Sequence, residues 1–347
     1  MKLATPRWWY VRKGAPAPVS RALLRPVSWI WAAATARRVA KPPTLDPGIP
    51  VVSVGGLTVG GVGKTPIVRE LINRLRAMGI EAHGLSRGYG GRLAGPVRVD
   101  PAAHTAADVG DEPLMLARDL PIWIARDRAE GAKAAVAGGA QALVLDDAHQ
   151  NPTLRKAFSL VVVDGETRDE EWPFGDGAVF PAGPMREPLA KGLARADAVI
   201  VLLPLGLAEP DPALLQLFAD KPVLVARLVA DTPPPPGPQL GFAGVAKPWK
   251  VQRSLIAAGC ELVDFAGFPD HATIDDATLA LLADRAAAEG AGLVTTEKDW
   301  MRLTPAWRER VTPWPIRVAF DDPAALDQML RSATAPENTP ASGRAVG

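Results

Sequence analysis

Short, mostly apolar runs, separated by polar or glycine-rich stretches, recur along the chain. Residues 51–54, 142–145, 160–163, 198–203 and 222–228 all have the length of a strand buried on both faces. Helical stretches separate most of them, and residues 67–78 carry the 3–4 spacing of a helix that buries one side. Strand–helix alternation of this kind predicts a parallel sheet covered on both faces. A proline run, Asp231-Thr232-Pro233-Pro234-Pro235-Pro236-Gly237-Pro238, then reads as a stiff extended linker. Beyond it the pattern restarts, with strands at 240–242, 261–265, 292–295 and 315–319 and helices at 248–258, 274–288 and 323–331. The expected organisation is an N-terminal segment over 1–45, a larger α/β unit over 46–230, the linker over 231–239, a smaller α/β unit over 240–332 and a disordered tail over 333–347.

The N-terminal segment has a different pattern. At 100° per residue, Leu23, Val27, Ile30 and Ala34 fall on one helical face, flanked by Leu24 and Trp31, with Arg21, Arg25 and Ser28 opposite. Pro26 is expected to kink this amphipathic helix or to start its second part. Charge sharpens the reading. Residues 1–45 hold nine Lys/Arg and no Asp or Glu, whereas the other 302 residues carry 30 basic against 38 acidic side chains. Four of the ten tryptophans, Trp8, Trp9, Trp29 and Trp31, lie in the same segment. A basic, indole-rich amphipathic helix predicts contact with an anionic membrane surface. The competing expectation is that its stripe packs on its own domain. The longest apolar run, 27–36, is half of the roughly 20 residues a span needs. Arg21, Arg25 and Pro26 interrupt the place where a secretory signal would have its apolar core. No groove-reading motif accompanies the basic residues, so nucleic acid is not expected as a partner. A single cysteine, Cys260, excludes a disulfide framework or a Cys-rich metal site.

The first apolar run leads into Thr58-Val59-Gly60-Gly61-Val62-Gly63-Lys64-Thr65, directly before a predicted helix. Strand, glycine-rich loop and helix in this order form a phosphate cradle of inward-turned backbone N–H groups. Lys64 would reach the β- and γ-phosphates, and the Thr65 hydroxyl would help to hold Mg²⁺. The strict pattern has Gly where Thr58 stands. A P-loop also needs an acidic strand end, and two runs compete to supply it. One is Ala142-Leu143-Val144-Leu145-Asp146-Asp147, and the other is Val161-Val162-Val163-Asp164. No Asn-Lys-X-Asp motif for guanine occurs, so ATP is the expected nucleotide.

Three further clusters carry chemistry: Ser86-Arg87-Gly88-Tyr89-Gly90-Gly91, Gly110-Asp111-Glu112-Pro113 and Pro181-Ala182-Gly183-Pro184-Met185-Arg186-Glu187-Pro188. With residues 55–66, 146–150, 268–271 and 295–299 they resemble, in order, the tetraacyldisaccharide 4′-kinases of lipid A biosynthesis. The likeness extends from about residue 15 to 330. It implies a P-loop NTPase-like fold and transfer of the ATP γ-phosphoryl group to the 4′-hydroxyl of a tetraacylated glucosamine disaccharide 1-phosphate. It also implies a monotopic protein on the cytoplasmic face of a Gram-negative inner membrane, with no obligate protein partner. Carried over by motif, Asp111 is the catalytic base with His271 as its partner, and Lys64 acts on the phosphates. Thr65, Asp146 and Glu112 form the Mg²⁺ side of the site. Arg87, Tyr89, Asp147, Gln150, Arg186 and Glu187 are the substrate contacts. The chain departs from the family pattern at Ala148 and Asn151, where Gly and His are usual. Asn151 cannot carry a proton charge. A P-loop kinase for another lipid or sugar, or a membrane-attached P-loop ATPase switch, remains the alternative.

Overall fold

A computed structural model describes residues 6–12, 14, 17–270 and 272–335. Its strands are β1 (Val51–Gly56), β2 (Ala82–Ser86), β3 (Val97–Arg98), β4 (Ile122–Ile124), β5 (Ala142–Leu145), β6 (Phe158–Asp164), β7 (Ala198–Leu203), β8 (Val223–Ala230), β9 (Gln239–Ala243), β10 (Leu262–Gly267), β11 (Gly292–Thr296), β12 (Val311–Trp314) and β13 (Ile316–Phe320). Nine of them form one sheet in the order β13-β8-β7-β6-β1-β5-β2-β4-β3. All its pairings are parallel except β13 on β8 and β3 on β4 at the two edges. The apolar runs have no polar alternation because both faces are covered. Val52, Val54, Val144, Leu160, Val162 and Ile200 meet Ile67, Leu71, Ile72 and Leu75 of the helix Lys64–Ala77. On the other face, Val161, Val163, Val199 and Val201 pack on Leu57, Phe174 and Phe218. β1 lies between β5 and β6, so both competing acidic strand ends emerge beside the P-loop.

The remaining strands form a wholly parallel sheet, β10-β9-β11-β12, with Leu240, Phe242 and Leu293 packed on Leu279 and Leu282 of the helix Asp276–Ala288. The expected boundary of this smaller unit at residue 332 needs correction. β13 leaves it and pairs antiparallel with β8 at the edge of the large sheet. The helix Pro323–Thr334 follows, burying Leu326 and Leu330 in the large core, while its Asp327 pairs with Arg74 at 2.7 Å. Apolar periodicity identifies a strand but does not say which sheet edge will accept it. The helix also takes up the first residues of the expected tail, and 336–347 lie outside the described residues.

Residues Pro18–Val39 form one continuous helix through Pro26. Its buried positions are Arg21, Ser28 and Thr35, a seven-residue repeat of polar side chains. Arg21 pairs with Asp176, donates to the Trp8 carbonyl and lies over the Trp8 ring. The Ser28 hydroxyl accepts from the Ala182 N–H at 3.1 Å. Leu23, Trp29 and Ile30 are 70–74% exposed, and Val27 is also exposed. The expectation that the stripe packs on its own domain is therefore overturned, because the protein binds the opposite face. Among the described residues no helix is long and apolar enough to cross a membrane.

Candidate active site

The P-loop starts where β1 ends. Gly63 precedes the helix Lys64–Ala77 at φ 79°, and a Cβ there would stand 2.5 Å from Leu202 Cδ2, so the turn excludes any side chain. Thr58 and Val59 are stitched to the 181–188 loop. Thr58 bridges to Met185, the Val59 N–H donates to the Pro184 carbonyl (2.8 Å), and the Arg186 N–H donates to the Leu57 carbonyl (2.7 Å). The side chain of Val62 is buried in the large core, so only its backbone is available to phosphate.

Of the two acidic strand ends, Asp164 is already engaged. Lys247 reaches it at 3.0 Å, Lys250 bonds its other oxygen, and the Glu166 N–H donates to it at 3.1 Å. These cations hold its carboxyl below the ordinary range. Asp146 is the opposite case. It is buried, and its Oδ1 has no hydrogen-bond partner. Burial first, then the neighbouring charges of Glu112 and Asp147, push its carboxyl up to about 7, with Lys64 and Arg128 opposing. An orphaned buried carboxylate oxygen beside a P-loop fits a metal ligand. Among the described residues no three His, Cys, Asp or Glu side chains converge as a preformed metal cage. Mg²⁺ on a nucleotide needs only one or two protein oxygens, because phosphates and water complete its shell.

Asp147 points the other way. Arg186 grips it with both Nη atoms (2.7 and 3.0 Å), Lys64 Nζ lies 3.4 Å away, and these cations hold its carboxyl low. Arg186 also donates through Nε to the Thr58 carbonyl (2.9 Å). Gln150 donates to the Gly56 carbonyl and to Glu187, both at 3.0 Å, and accepts from Arg186 at 3.3 Å. Thus Lys64, Asp147, Gln150, Arg186 and Glu187 form one connected group on the P-loop. Glu187 is nearly inaccessible and also paired with Arg195, so it acts as a buttress for Gln150. Asn151 accepts from the Thr153 N–H (2.9 Å) and shapes the turn. Lys156 bonds the Ala148 and His149 carbonyls and fixes the same loop from behind.

On the other rim, Gly110 sits at φ 90°, and a Cβ there would be 2.6 Å from the Tyr89 carbonyl. That close approach joins the 86–91 loop, with exposed Arg87 and Tyr89, to the helix Asp111–Leu116. The buried Asp111 carboxylate accepts from the Glu112 N–H (3.1 Å) and pairs with Arg302, while Lys298 lies 4.0 Å from it. Lys298 also meets Glu112 at 3.0 Å and Asp270 at 3.4 Å. His271, the expected partner of Asp111, lies outside the described residues. Sequence reasoning missed Arg302 altogether, and it noted Lys298 only inside the 295–299 segment. The i, i+4 spacing of two cations at a strand-to-helix junction was the available signal. Tyr10, whose hydroxyl donates to the Val59 carbonyl (3.0 Å), carried no motif at all.

Comparison with known proteins agrees with this geometry. The profile of the LpxK family, tetraacyldisaccharide-1-P 4′-kinase, matches residues 20–335. A tetraacyldisaccharide 4′-kinase of Caulobacter vibrioides is 68% identical over 331 residues, covering 95% of this chain and 99% of its own length. One from Maricaulis maris is 49% identical over 329 residues, covering 94% and 95%. The crystal structure of LpxK from Aquifex aeolicus in complex with ATP shares the fold, with a TM-score of 0.70 at 24% identity, over 91% of this chain and 99% of that one. With a profile match across nearly its whole length and relatives this similar, the chain belongs to the tetraacyldisaccharide-1-P 4′-kinase family.

Proposed function

We propose that this protein transfers the γ-phosphoryl group of ATP to the 4′-hydroxyl of a tetraacyldisaccharide 1-phosphate, the lipid A precursor, at the cytoplasmic face of the inner membrane. The observation that carries the reading is the convergence of P-loop, acidic strand end and Asp111 helix on one cleft. Lys64 lies 3.4 Å from Asp147, and Asp146 feels the charges of Glu112, Asp147 and Lys64 together. Lys64 would neutralise charge that builds on the transferring group, where a preorganised cation is worth most. Arg186, placed over the P-loop by its bonds to Thr58 and Asp147, would add to that field. Thr65 and Asp146, with Glu112 nearby, would hold Mg²⁺, which would supply positive charge to offset that of the phosphates.

Asp111 would accept the proton of the sugar hydroxyl. Asp270, the residue before His271, reaches Lys298, which in turn reaches Glu112. His271 itself lies outside the described residues, and its partnership with Asp111 rests on the family resemblance alone. Arg87 and Tyr89, exposed on the adjoining loop, would meet the sugar, together with Gln150 and Asp147. The exposed stripe of Leu23, Val27 and Ile30, with Trp29 exposed to one side of it, would rest in the lipid headgroup layer, where indole and basic residues suit an anionic surface. Contact with the membrane would bring the cleft to an acceptor whose acyl chains remain in lipid.

The test is to incubate purified protein with Mg²⁺-ATP and the disaccharide 1-phosphate in mixed micelles. Acceptor-dependent ADP release and a second phosphate on the sugar are expected. Nucleotide hydrolysis that ignores the acceptor would instead identify an ATPase switch.

A further inference from the structure

The Thr295-Thr296-Glu297-Lys298-Asp299 segment closes β11 of the smaller sheet and turns into a short helix, from which Lys298 reaches Glu112 on a helix of the larger unit. Thr296 caps the short helix Glu297–Trp300 by accepting from the Asp299 N–H (3.1 Å). Asp299 is almost completely buried. One of its oxygens accepts from the Thr296 hydroxyl (2.7 Å) and the Gly244 N–H (3.0 Å). Its other oxygen receives Arg302 Nη1 at 3.0 Å, while Arg302 Nη2 bonds Asp111. The guanidinium therefore lies between two carboxylates, one structural and one in the cleft. Lys298, one helical turn earlier, sits among Glu112, Asp270 and Asp111.

We propose that Arg302 and Lys298 are positioning residues for Asp111, holding its ionised carboxylate at a fixed angle to the acceptor hydroxyl. This rests on the reading of Asp111 as the group that takes the hydroxyl proton. Asp111 is buried next to Glu112, and triphosphate would add further negative charge. A lone carboxylate there faces repulsion and a desolvation cost. Arg302 offsets both and also supplies direction, since a planar guanidinium bonds along fixed axes where an ammonium does not. Asp299, itself fixed by Thr296 and Gly244, prevents the guanidinium from turning. Asp111 Oδ1 accepts the Glu112 N–H and Oδ2 accepts Arg302, so both oxygens are held and the plane of the carboxylate is fixed. In the transfer, the acceptor oxygen forms its bond to the γ-phosphorus as the bridging P–O bond breaks. ADP leaves with that electron pair, and the hydroxyl proton passes to Asp111. A weakly basic carboxylate suffices, because little O–H bond breaking is needed in a loose transition state. Because both cations come from the smaller sheet's side, the two units together define where the base points.

The test is a cycle of Arg302→Gln, Asp111→Asn and the double variant, read as single-turnover rates at saturating ATP and acceptor. Arg302→Gln is expected to lower the rate about 10- to 100-fold, the scale of losing fixed orientation, with the KM for ATP changed less than twofold. Arg302→Lys should recover only part of it, since the charge returns without the fork. In the Asp111→Asn background, Arg302→Gln should cost less than a further twofold, because its effect runs through the missing carboxylate. Multiplicative losses would overturn the proposal and leave Arg302 as a structural tie. Full turnover in Asp111→Asn alone would instead overturn the reading of Asp111. If Arg302→Gln does not fold, Lys298→Gln carries the same cycle, with a smaller loss expected and the same non-additivity required.

Discussion

Replacing Leu23 and Ile30 with Gln tests the helix Pro18–Val39 directly, because the two side chains are 74% and 70% exposed. Neither contributes much to the folded core, so each substitution should change stability by no more than about 0.5 kcal/mol. On a membrane the arithmetic differs. Fully burying such a side chain is worth about 1.5–3 kcal/mol, and an interfacial position realises roughly half of that. Losing both should therefore cost about 1.5–3 kcal/mol of partitioning, or roughly 10- to 150-fold. The assay is co-sedimentation with vesicles containing anionic phospholipid, alongside thermal unfolding in solution. Weaker vesicle binding with an unchanged Tm is expected. Binding within twofold of the parent, or a large fall in Tm, would refute the argument that this face meets lipid.

Lys64→Ala should lower acceptor-dependent turnover by orders of magnitude with the fold intact, and activity within twofold of the parent would remove Lys64 from the mechanism. Asp146 gives a pH prediction. Its native carboxyl is pushed up to about 7 from an ordinary value of 3.8, so it favours the fold below about pH 4 and loses that contribution as pH rises towards 7. In nucleotide-free protein with EDTA, Asp146→Asn should raise Tm at pH 8 relative to the parent and leave it nearly unchanged at pH 4. Turnover should collapse in the same variant, and a parallel pH–Tm curve would show that the buried carboxyl is not strained.

Elements buried on both faces were the most legible in the sequence. The mostly apolar runs in β1, β5, β6 and β7 were readable because such a stretch needs cover on both sides, whereas β8 is buried only at Leu224 and Ala226. Glycine-Lys-Thr after β1 was legible for a related reason, because only a turn without side chains fits against Leu202. The choice between Asp146 and Asp164 was not. It depends on Lys247 and Lys250, more than 80 residues away, which engage Asp164 and leave Asp146 Oδ1 without a partner. Nor could local pattern show β13 crossing back to the large sheet, or Arg302 reaching Asp111 across 191 positions. Periodicity reports which face of an element is apolar. Which partner it meets is decided by tertiary geometry.

That limit is clearest at the N-terminal helix, where the apolar face was easy to find and the packing face was the polar one. Arg21 and Ser28 bind the body, with Thr35 buried on the same face, and they bind a particular part of it. Arg21 pairs with Asp176, Ser28 receives the Ala182 N–H, and Trp31 Nε1 donates to the Arg186 carbonyl at 3.2 Å. The side chain of Arg186 in turn holds Asp147 and Thr58 in the cleft. The helix is thus tied to the same 176–188 stretch that supports the P-loop, which fixes the angle between the exposed stripe and the cleft. Arg21→Ala should loosen that tie. It removes an ion pair whose acidic partner is partly solvated, for about 1–3 kcal/mol, well below the cost of an unpaired charge in a deep core. Activity on acceptor embedded in vesicles should then fall several-fold more than activity on acceptor dispersed in detergent micelles, where the angle to a lipid plane does not matter. An equal fall in both would mean that Arg21 stabilises the fold without orienting the cleft to the membrane.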